Sequence, residues 1–254
     1  MKAWHFVGTH KPFERVDIEE PTAGPGKVVV DVQAAGLCHS DVGILEDEKW
    51  LDLMTVPVVP GHETAGVISE VGEGVTGWKV GDKVAVWPMI GPFGYGGLGQ
   101  IGARLAHLEG AEVYVAEIKE DVWDHARENG AVKVAKSITE FKDDQLDVII
   151  DFAGFGTTTD EAIRTVKFQG RVVLVGMGRL EATIDTNALI LGQVELVGSN
   201  GGSKENIATV LKWLAEGQIE PTLTTIDFEE IADGVGRLER GEVTGRLVAR
   251  VAEG

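Results

Sequence analysis

Two short phrases early in the chain hold most of the residues able to do chemistry: Gly36-Leu37-Cys38-His39-Ser40-Asp41 and Gly61-His62-Glu63. A thiolate and an imidazole are ligand types that suit zinc, and a catalytic zinc keeps one coordination position for water or substrate. Cys38 is the single cysteine, so no disulfide can form within the chain, which fits a reducing compartment. On residue type alone it is a small core hydrophobe, a reactive thiol or a metal ligand. His62 is equally an ordinary loop histidine.

A third phrase, Gly94-Tyr95-Gly96-Gly97-Leu98-Gly99, carries G-x-G-x-x-G at Gly94, Gly96 and Gly99. In a chain with 34 glycines that spacing arises readily by accident. Its context narrows the reading: an apolar stretch precedes it, an amphipathic helix follows, and the next strand ends in an acid, Glu117. The first glycine permits the tight turn, the second lets backbone amides approach a pyrophosphate, and the third lets helix and strand pack closely. The pyrophosphate then sits at a helix N-terminus, where unpaired amides and the helix dipole favour anions. A carboxylate at Glu117 accepts hydrogen bonds from the adenosine ribose and repels a 2′-phosphate, so NAD is favoured over NADP. Lys119, two residues on, works against that preference. The plain alternative is a strand-to-helix turn with a solvated acid at the strand end.

The elements that must position these residues fall into two styles. Up to about Pro88, short runs such as Val28–Val32, Ala65–Val71 and Lys83–Trp87 alternate with glycine and proline turns, the pattern of a small β-rich domain. From about Ile90, strands and helices alternate, the sequence form of a parallel sheet with covering helices. Predicted strands are Glu112–Ala116, Val132–Ala135, Leu146–Asp151, Arg171–Val175 and Val194–Gly198, apolar enough to be buried on both faces. Predicted helices are Gly97–Leu108, Glu120–Asn129, Thr157–Val166 and Lys204–Glu216, with Gly130 and Ser203 as capping signals. A helix near Glu229–Leu238 and a strand over Gly245–Val251 close the chain.

The 254 residues suffice for one large domain or two modest ones. The 41 acidic against 23 basic residues give a net charge of −18, which disfavours a nucleic-acid backbone or an anionic membrane as partner. So much acid also fits a high-salt habitat. The apolar runs are too short to cross a bilayer and the first residues lack a signal-peptide core, so a cytoplasmic protein is expected.

Taken in order, Gly36–Asp41, Gly61–Glu63, the glycine-rich turn and the closing Gly241-Glu242-Val243-Thr244-Gly245-Arg246-Leu247-Val248 resemble the zinc-dependent, medium-chain alcohol dehydrogenase family over nearly the whole chain. The resemblance implies an α/β fold: a Rossmann-type parallel sheet plus a truncated GroES-like β-rich domain. The implied boundaries are a GroES-like catalytic domain over 1–88, an NAD-binding domain over 89–220, and a segment over 221–254 that returns to the catalytic domain. It implies Cys38 and His62 as zinc ligands, Glu63 as an alternate ligand, Ser40 as acceptor of the alcohol proton, and Asp41 as the group that orients His62. His39 and Arg246 are implied contacts to the cofactor phosphates, with Gly97 and Leu98 in the turn. Val175, Met177 and Ser199 fall beside the nicotinamide ring. The implied activity is interconversion of small alcohols with aldehydes or ketones, in a homo-oligomer.

The chain departs from the family in the stretch between the β-rich domain and the glycine-rich turn. The usual third zinc ligand and the four-cysteine structural-zinc lobe belong there, and neither is present. Gly43 stands where the family has a proton-relay histidine. Gly81-Asp82-Lys83-Val84-Ala85-Val86 occurs once where family members carry two such phrases, so we expect that a deletion fused them and that one strand runs on through Trp87–Phe93 into Gly94. Two further readings follow: a dinucleotide-binding protein with a vestigial metal site, and a zinc-independent reductase, which would have no reason to keep both the Cys-His-Ser-Asp and Gly-His-Glu phrases.

Overall fold

A computed structural model of the chain describes residues 1–86 and 97–251. Strands β1 (Lys2–His5), β2 (Glu14–Asp17) and β3 (Val28–Leu37) lead to helix α1 (His39–Glu46), then β4 (Glu63–Val71) and β5 (Lys83–Val86). Next come α2 (Gly99–Leu108), β6 (Val113–Ala116), α3 (Trp123–Glu128), β7 (Ala131–Ala135), β8 (Val148–Asp151), α4 (Thr157–Thr165), β9 (Arg171–Leu174), α5 (Thr186–Leu191), β10 (Glu195–Gly198) and α6 (Lys204–Ala215). The last elements are β11 (Leu223–Asp227), α7 (Ile231–Glu239) and β12 (Arg246–Arg250). They form two compact units, one of Met1–Pro88, Leu223–Val243 and Leu247–Gly254, the other of Met89–Thr222 and Thr244–Arg246.

The first unit is built on a five-stranded sheet in the order β11-β12-β3-β4-β5. β3 runs antiparallel to both β12 and β4, and β4 runs antiparallel to β5. Register shifts at Val29/Val30 and Val32/Ala34 bend β3 where it crosses β4. Leu37, Ile226, Val235, Leu238 and Leu247 are buried in this unit. Gly234 of α7 lets the helix approach closely, since a Cβ there would lie 2.7 Å from Ile226 and 3.1 Å from Leu37 and Leu247. Residues 39–46, for which the apolar pattern predicts neither helix nor strand, form α1.

The second unit has the β-α-β rhythm that the sequence predicts, with parallel ladders β6-β7 and β10-β9-β8. Ala126 of α3 closes over Val113, Val115 and Ala131, while Ala162 and Ile163 of α4 close over Ile149 and Val172.

One expectation needs correction. The apolar strands are not all covered on both faces: within β8, Ile149 and Asp151 are buried, whereas Val148 and Ile150 are 51% and 44% exposed. A run of valine and isoleucine reads alike whether one face or two are covered, and α4 packs on the Ile149 side. Lys83–Val86, the described part of the strand expected to run on into Gly94, forms β5. It is committed to β4, with Thr64 opposite Val86 and Val67 opposite Lys83. The continuation over Trp87–Phe93 lies outside the described residues.

Candidate functional site

The pairing of β3 with β4 builds the first site. In its register Gly36 faces Glu63, so Cys38, just beyond β3, and His62, just before β4, leave the same end of one antiparallel pair. Residues 24 apart in sequence thereby meet: Cys38 Sγ lies 3.2 Å from His62 Nε2. Ser40 Oγ joins them at 2.6 Å from the sulfur and 3.3 Å from Nε2.

Helix α1 holds two members of this group at its first turn. Cys38 is the N-cap in extended conformation, its sulfur accepting from the Ser40 amide at 3.2 Å. The Asp41 carboxylate reaches back to accept from the Cys38 amide at 2.8 Å. This is a reciprocal capping box with a thiol where serine or threonine usually stands, and that substitution hides the helix start from a sequence reading. The Cys-x-x-Asp spacing was the signal available. Asp41 Oδ1 is also 3.9 Å from His62 Nδ1, close enough to bias the ring electrostatically.

Burial and charge set the state of the thiol. Cys38 is 1% exposed, and burial, reinforced by the Asp41 and Glu63 carboxylates, pushes its pKa from 9.0 to about 12 against the opposing Ser40 hydrogen bond. The buried thiol is therefore protonated at neutral pH and needs a cation to become a thiolate.

The donor set fits a metal. One ligand atom each from Cys38, Asp41 and His62 lies within 4.8 Å of the others. Two ligands at zinc bond lengths in tetrahedral geometry stand about 3.6 Å apart, so the sulfur and the imidazole need only separate slightly. Glu63 Oε1 lies 3.9 Å from His62 Nε2. The family resemblance implies Cys38, His62 and Glu63 as ligands; the convergent group in the structure is Cys38, Asp41 and His62. Of the other predicted residues here, His39 opens α1 with an exposed side chain. Gly43 packs against Trp50, whose indole nitrogen would lie 3.1 Å from a Cβ at that position.

The second unit carries the residues predicted for the cofactor. Gly94 and Gly96 lie outside the described residues. Leu98 is the N-cap of α2 without a side-chain cap hydrogen bond, and Gly97 and Gly99 are buried beside it. The Arg246 guanidinium takes the space above Gly97, where a Cβ would come within 2.2 Å of Cζ. An uncapped helix start with a cation against it, in a cradle that any side chain at 97 would fill, suits a pyrophosphate. Glu117 follows β6, its carboxylate accepting from the Lys119 amide at 2.8 Å and its carbonyl from Trp123 Nε1 at 2.8 Å. Val175 and Met177 follow β9, and Ser199 follows β10 with its amide donating to Leu174 at 2.9 Å. Glu117, Val175, Met177 and Ser199 each lie beyond the carboxyl end of a parallel strand, the end at which open α/β sheets bind ligands.

Comparison with known proteins bears on the family and the fold. The model of the alcohol dehydrogenase GroES-like domain matches residues 24–117, and that of the zinc-binding dehydrogenase family matches 97–216. An alcohol dehydrogenase of Geobacillus stearothermophilus is 23% identical over 344 aligned positions spanning all of both chains. An NAD-dependent alcohol dehydrogenase of Sulfolobus acidocaldarius is 25% identical, covering 99% of this chain and all of the relative. Among solved structures, an alcohol dehydrogenase from Aeropyrum pernix superposes with a TM-score of 0.88 at 23% identity, covering 99% of this chain and 100% of that one. The 344 positions exceed the 254 residues of this chain, so at least 90 of them have no counterpart in it.

Fold and site together define a two-unit α/β dehydrogenase. The chain belongs to the medium-chain, zinc-type alcohol dehydrogenase family, with the two family matches together spanning residues 24–216. Among the described residues no helix is long and apolar enough to cross a membrane.

Proposed function

We propose that this protein interconverts small alcohols with aldehydes or ketones by NAD-dependent hydride transfer. The observation that carries the reading is the meeting of Cys38 Sγ, Ser40 Oγ and His62 Nε2 within 3.3 Å. Cys38 and His62, with Glu63 or Asp41, would hold zinc. Bound there, the ion would polarise the oxygen of the alcohol or carbonyl. Ser40 would take the alcohol proton, a reading supported by its hydroxyl lying 2.6 Å from the Cys38 sulfur at the same site. His62 in turn feels the Asp41 carboxylate, which favours a proton on Nδ1 and leaves Nε2 as the ligand atom.

On the cofactor side, the start of α2 and Arg246 receive the pyrophosphate, with His39 as a further phosphate contact. Glu117 receives the adenosine ribose. The nicotinamide ring lies against the backbone near Val175, Met177 and Ser199. The domains are read as 1–88, 89–220 and 221–254, and the missing positions are placed between β5 and α2. The overlap of the two family matches over residues 97–117 supports that placement. A homo-oligomer is part of the reading, supported by β10, a sheet-edge strand exposed along its whole length.

The test is metal content measured together with turnover. Purified protein should contain about one zinc per chain and reduce NAD in the presence of small primary or secondary alcohols, with Cys38→Ala losing both. Cofactor binding with no metal and no turnover would instead support a dinucleotide-binding protein with a vestigial metal site. The chain's 90 or more missing positions are the observation that favours this second reading.

A further inference from the structure

Among the described residues, the motifs leave one buried charged group unused. Asp151, the last residue of β8, is 6% exposed, and its carboxylate is surrounded by donors. Oδ1 accepts from the amides of Ala153 at 3.0 Å and Gly154 at 2.8 Å. Oδ2 accepts from the hydroxyls of Thr158 at 3.0 Å and Thr159 at 2.7 Å. One side chain therefore ties the turn after β8 to the first turn of α4. Thr158 extends the tie, its hydroxyl accepting from the Phe155 amide at 3.2 Å.

The same turn is laced to the loop after β9. The Asp151 carbonyl accepts from the amides of Val175 and Gly176 at 3.1 and 2.9 Å. Gly178 donates to Ala153 at 3.3 Å, and Arg179 donates to Gly154 at 2.9 Å. The two backbones touch so closely that a Cβ on Gly154 would lie 2.1 Å from the Gly176 oxygen, and Gly154 has a φ of +62°. A Cβ on Gly176 would lie 2.5 Å from the Ala153 carbonyl carbon and the Gly154 nitrogen. The loop carrying Val175 and Met177 thus rests on a turn whose shape the Asp151 carboxylate dictates.

We propose that Asp151 is a positioning residue for the nicotinamide end of the cofactor. By holding the Ala153 and Gly154 amides it fixes the shelf against which Val175, Gly176 and Met177 are set, and so fixes the wall that the ring meets. The inference rests on the reading that this loop faces the nicotinamide. The carboxylate touches neither substrate nor cofactor and acts only through the loop. A buried anion is a costly way to hold a turn unless several donors converge on it, and four do here.

The experiment measures NADH and ADP-ribose binding by calorimetry for the wild-type chain and for Asp151→Ala and Asp151→Asn. ADP-ribose keeps the adenosine and pyrophosphate and lacks the nicotinamide. Asp151→Ala should weaken NADH at least about tenfold, the order expected when buried donors lose their acceptor, with ADP-ribose changed less than about twofold. Asp151→Asn, whose oxygen can serve the amides while its nitrogen donates to the threonine hydroxyls, should restore NADH binding. Equal weakening of both ligands would assign Asp151 a general structural role, and unchanged NADH binding would assign it none; either overturns the proposal. If the alanine variant does not fold, Thr158→Val takes its place, with a severalfold loss for NADH alone expected and no loss overturning the idea. A wild-type chain that bound neither ligand would refute the dinucleotide reading itself, and one that bound both equally would refute the nicotinamide placement.

Discussion

The Glu63 carboxylate occupies the space that a side chain on Gly36 would need: a Cβ at Gly36 would lie 2.2 Å from Glu63 Oε2 and 2.9 Å from Glu63 Cβ. The two residues are partners across β3 and β4, so the glycine of the Gly-Leu-Cys-His-Ser-Asp phrase makes room for the acid of the Gly-His-Glu phrase. Gly36→Ala should destabilise the fold by about 1–3 kcal/mol, the usual cost of overpacking, and should lower zinc affinity by displacing Glu63 from His62. Urea denaturation and a competitive zinc titration measure the two effects. An alanine variant that keeps wild-type stability and affinity would mean that Glu63 relocates freely.

Asp41 is expected to act first as a cap. Asp41→Ala removes the acceptor for the Cys38 amide and should cost about 0.5–2 kcal/mol, with Cys38 less well aimed at His62. Asp41→Asn keeps an acceptor oxygen and should recover most of the stability, yet it removes the negative charge beside His62. Zinc affinity should therefore stay below wild type in the asparagine variant even where the melting temperature returns.

The raised thiol pKa makes two pH effects. Zinc binding must release the Cys38 proton, so affinity should rise about tenfold per pH unit from this group alone while the thiol remains protonated. In metal-free protein the unfolded thiol ionises from pH 9.0 upward, whereas the folded one holds its proton to about pH 12. Its contribution to stability is therefore whole below pH 9.0 and is lost as pH rises toward 12. Urea midpoints for wild type and Cys38→Ser at pH 8 and pH 10.5 should diverge, with the wild type losing more. Parallel curves would show that the thiol is not held in the neutral form.

Gly97→Ala should expel the Arg246 guanidinium from the start of α2. NADH affinity should fall about tenfold, the effect of losing one charge-assisted contact to phosphate, and Arg246→Ala should add little on top of it. Additive losses would place Arg246 elsewhere in the bound state.

At the far end of the same cradle, Glu117→Ala should reduce the preference for NAD over NADP, since the 2′-phosphate would no longer meet a carboxylate. Kinetics with the two cofactors would reveal it, and an unchanged ratio would argue that Glu117 only receives the Lys119 amide.

Much of this protein was legible from local pattern. The strands β6 to β10 with helices α2, α3, α4 and α6, and the strands β3, β4 and β12, follow from periodicity and turn chemistry within short windows, whereas α5, only six residues long, does not. Helix α1 was not legible, because its cap is a cysteine and its apolar side chains are few. The partial covering of β8 was not legible either, since Val148 and Ile150 look the same in a sequence whether or not anything packs on them. The chain order alone determined which chemical groups exist and which short elements carry them. Tertiary structure alone decided that Cys38, Ser40 and His62 share one site, because their approach depends on the register of β3 against β4 and on a helix start. Register is a property of two strands together: a slip of one residue would turn every side chain to the opposite face and separate the sulfur from the imidazole.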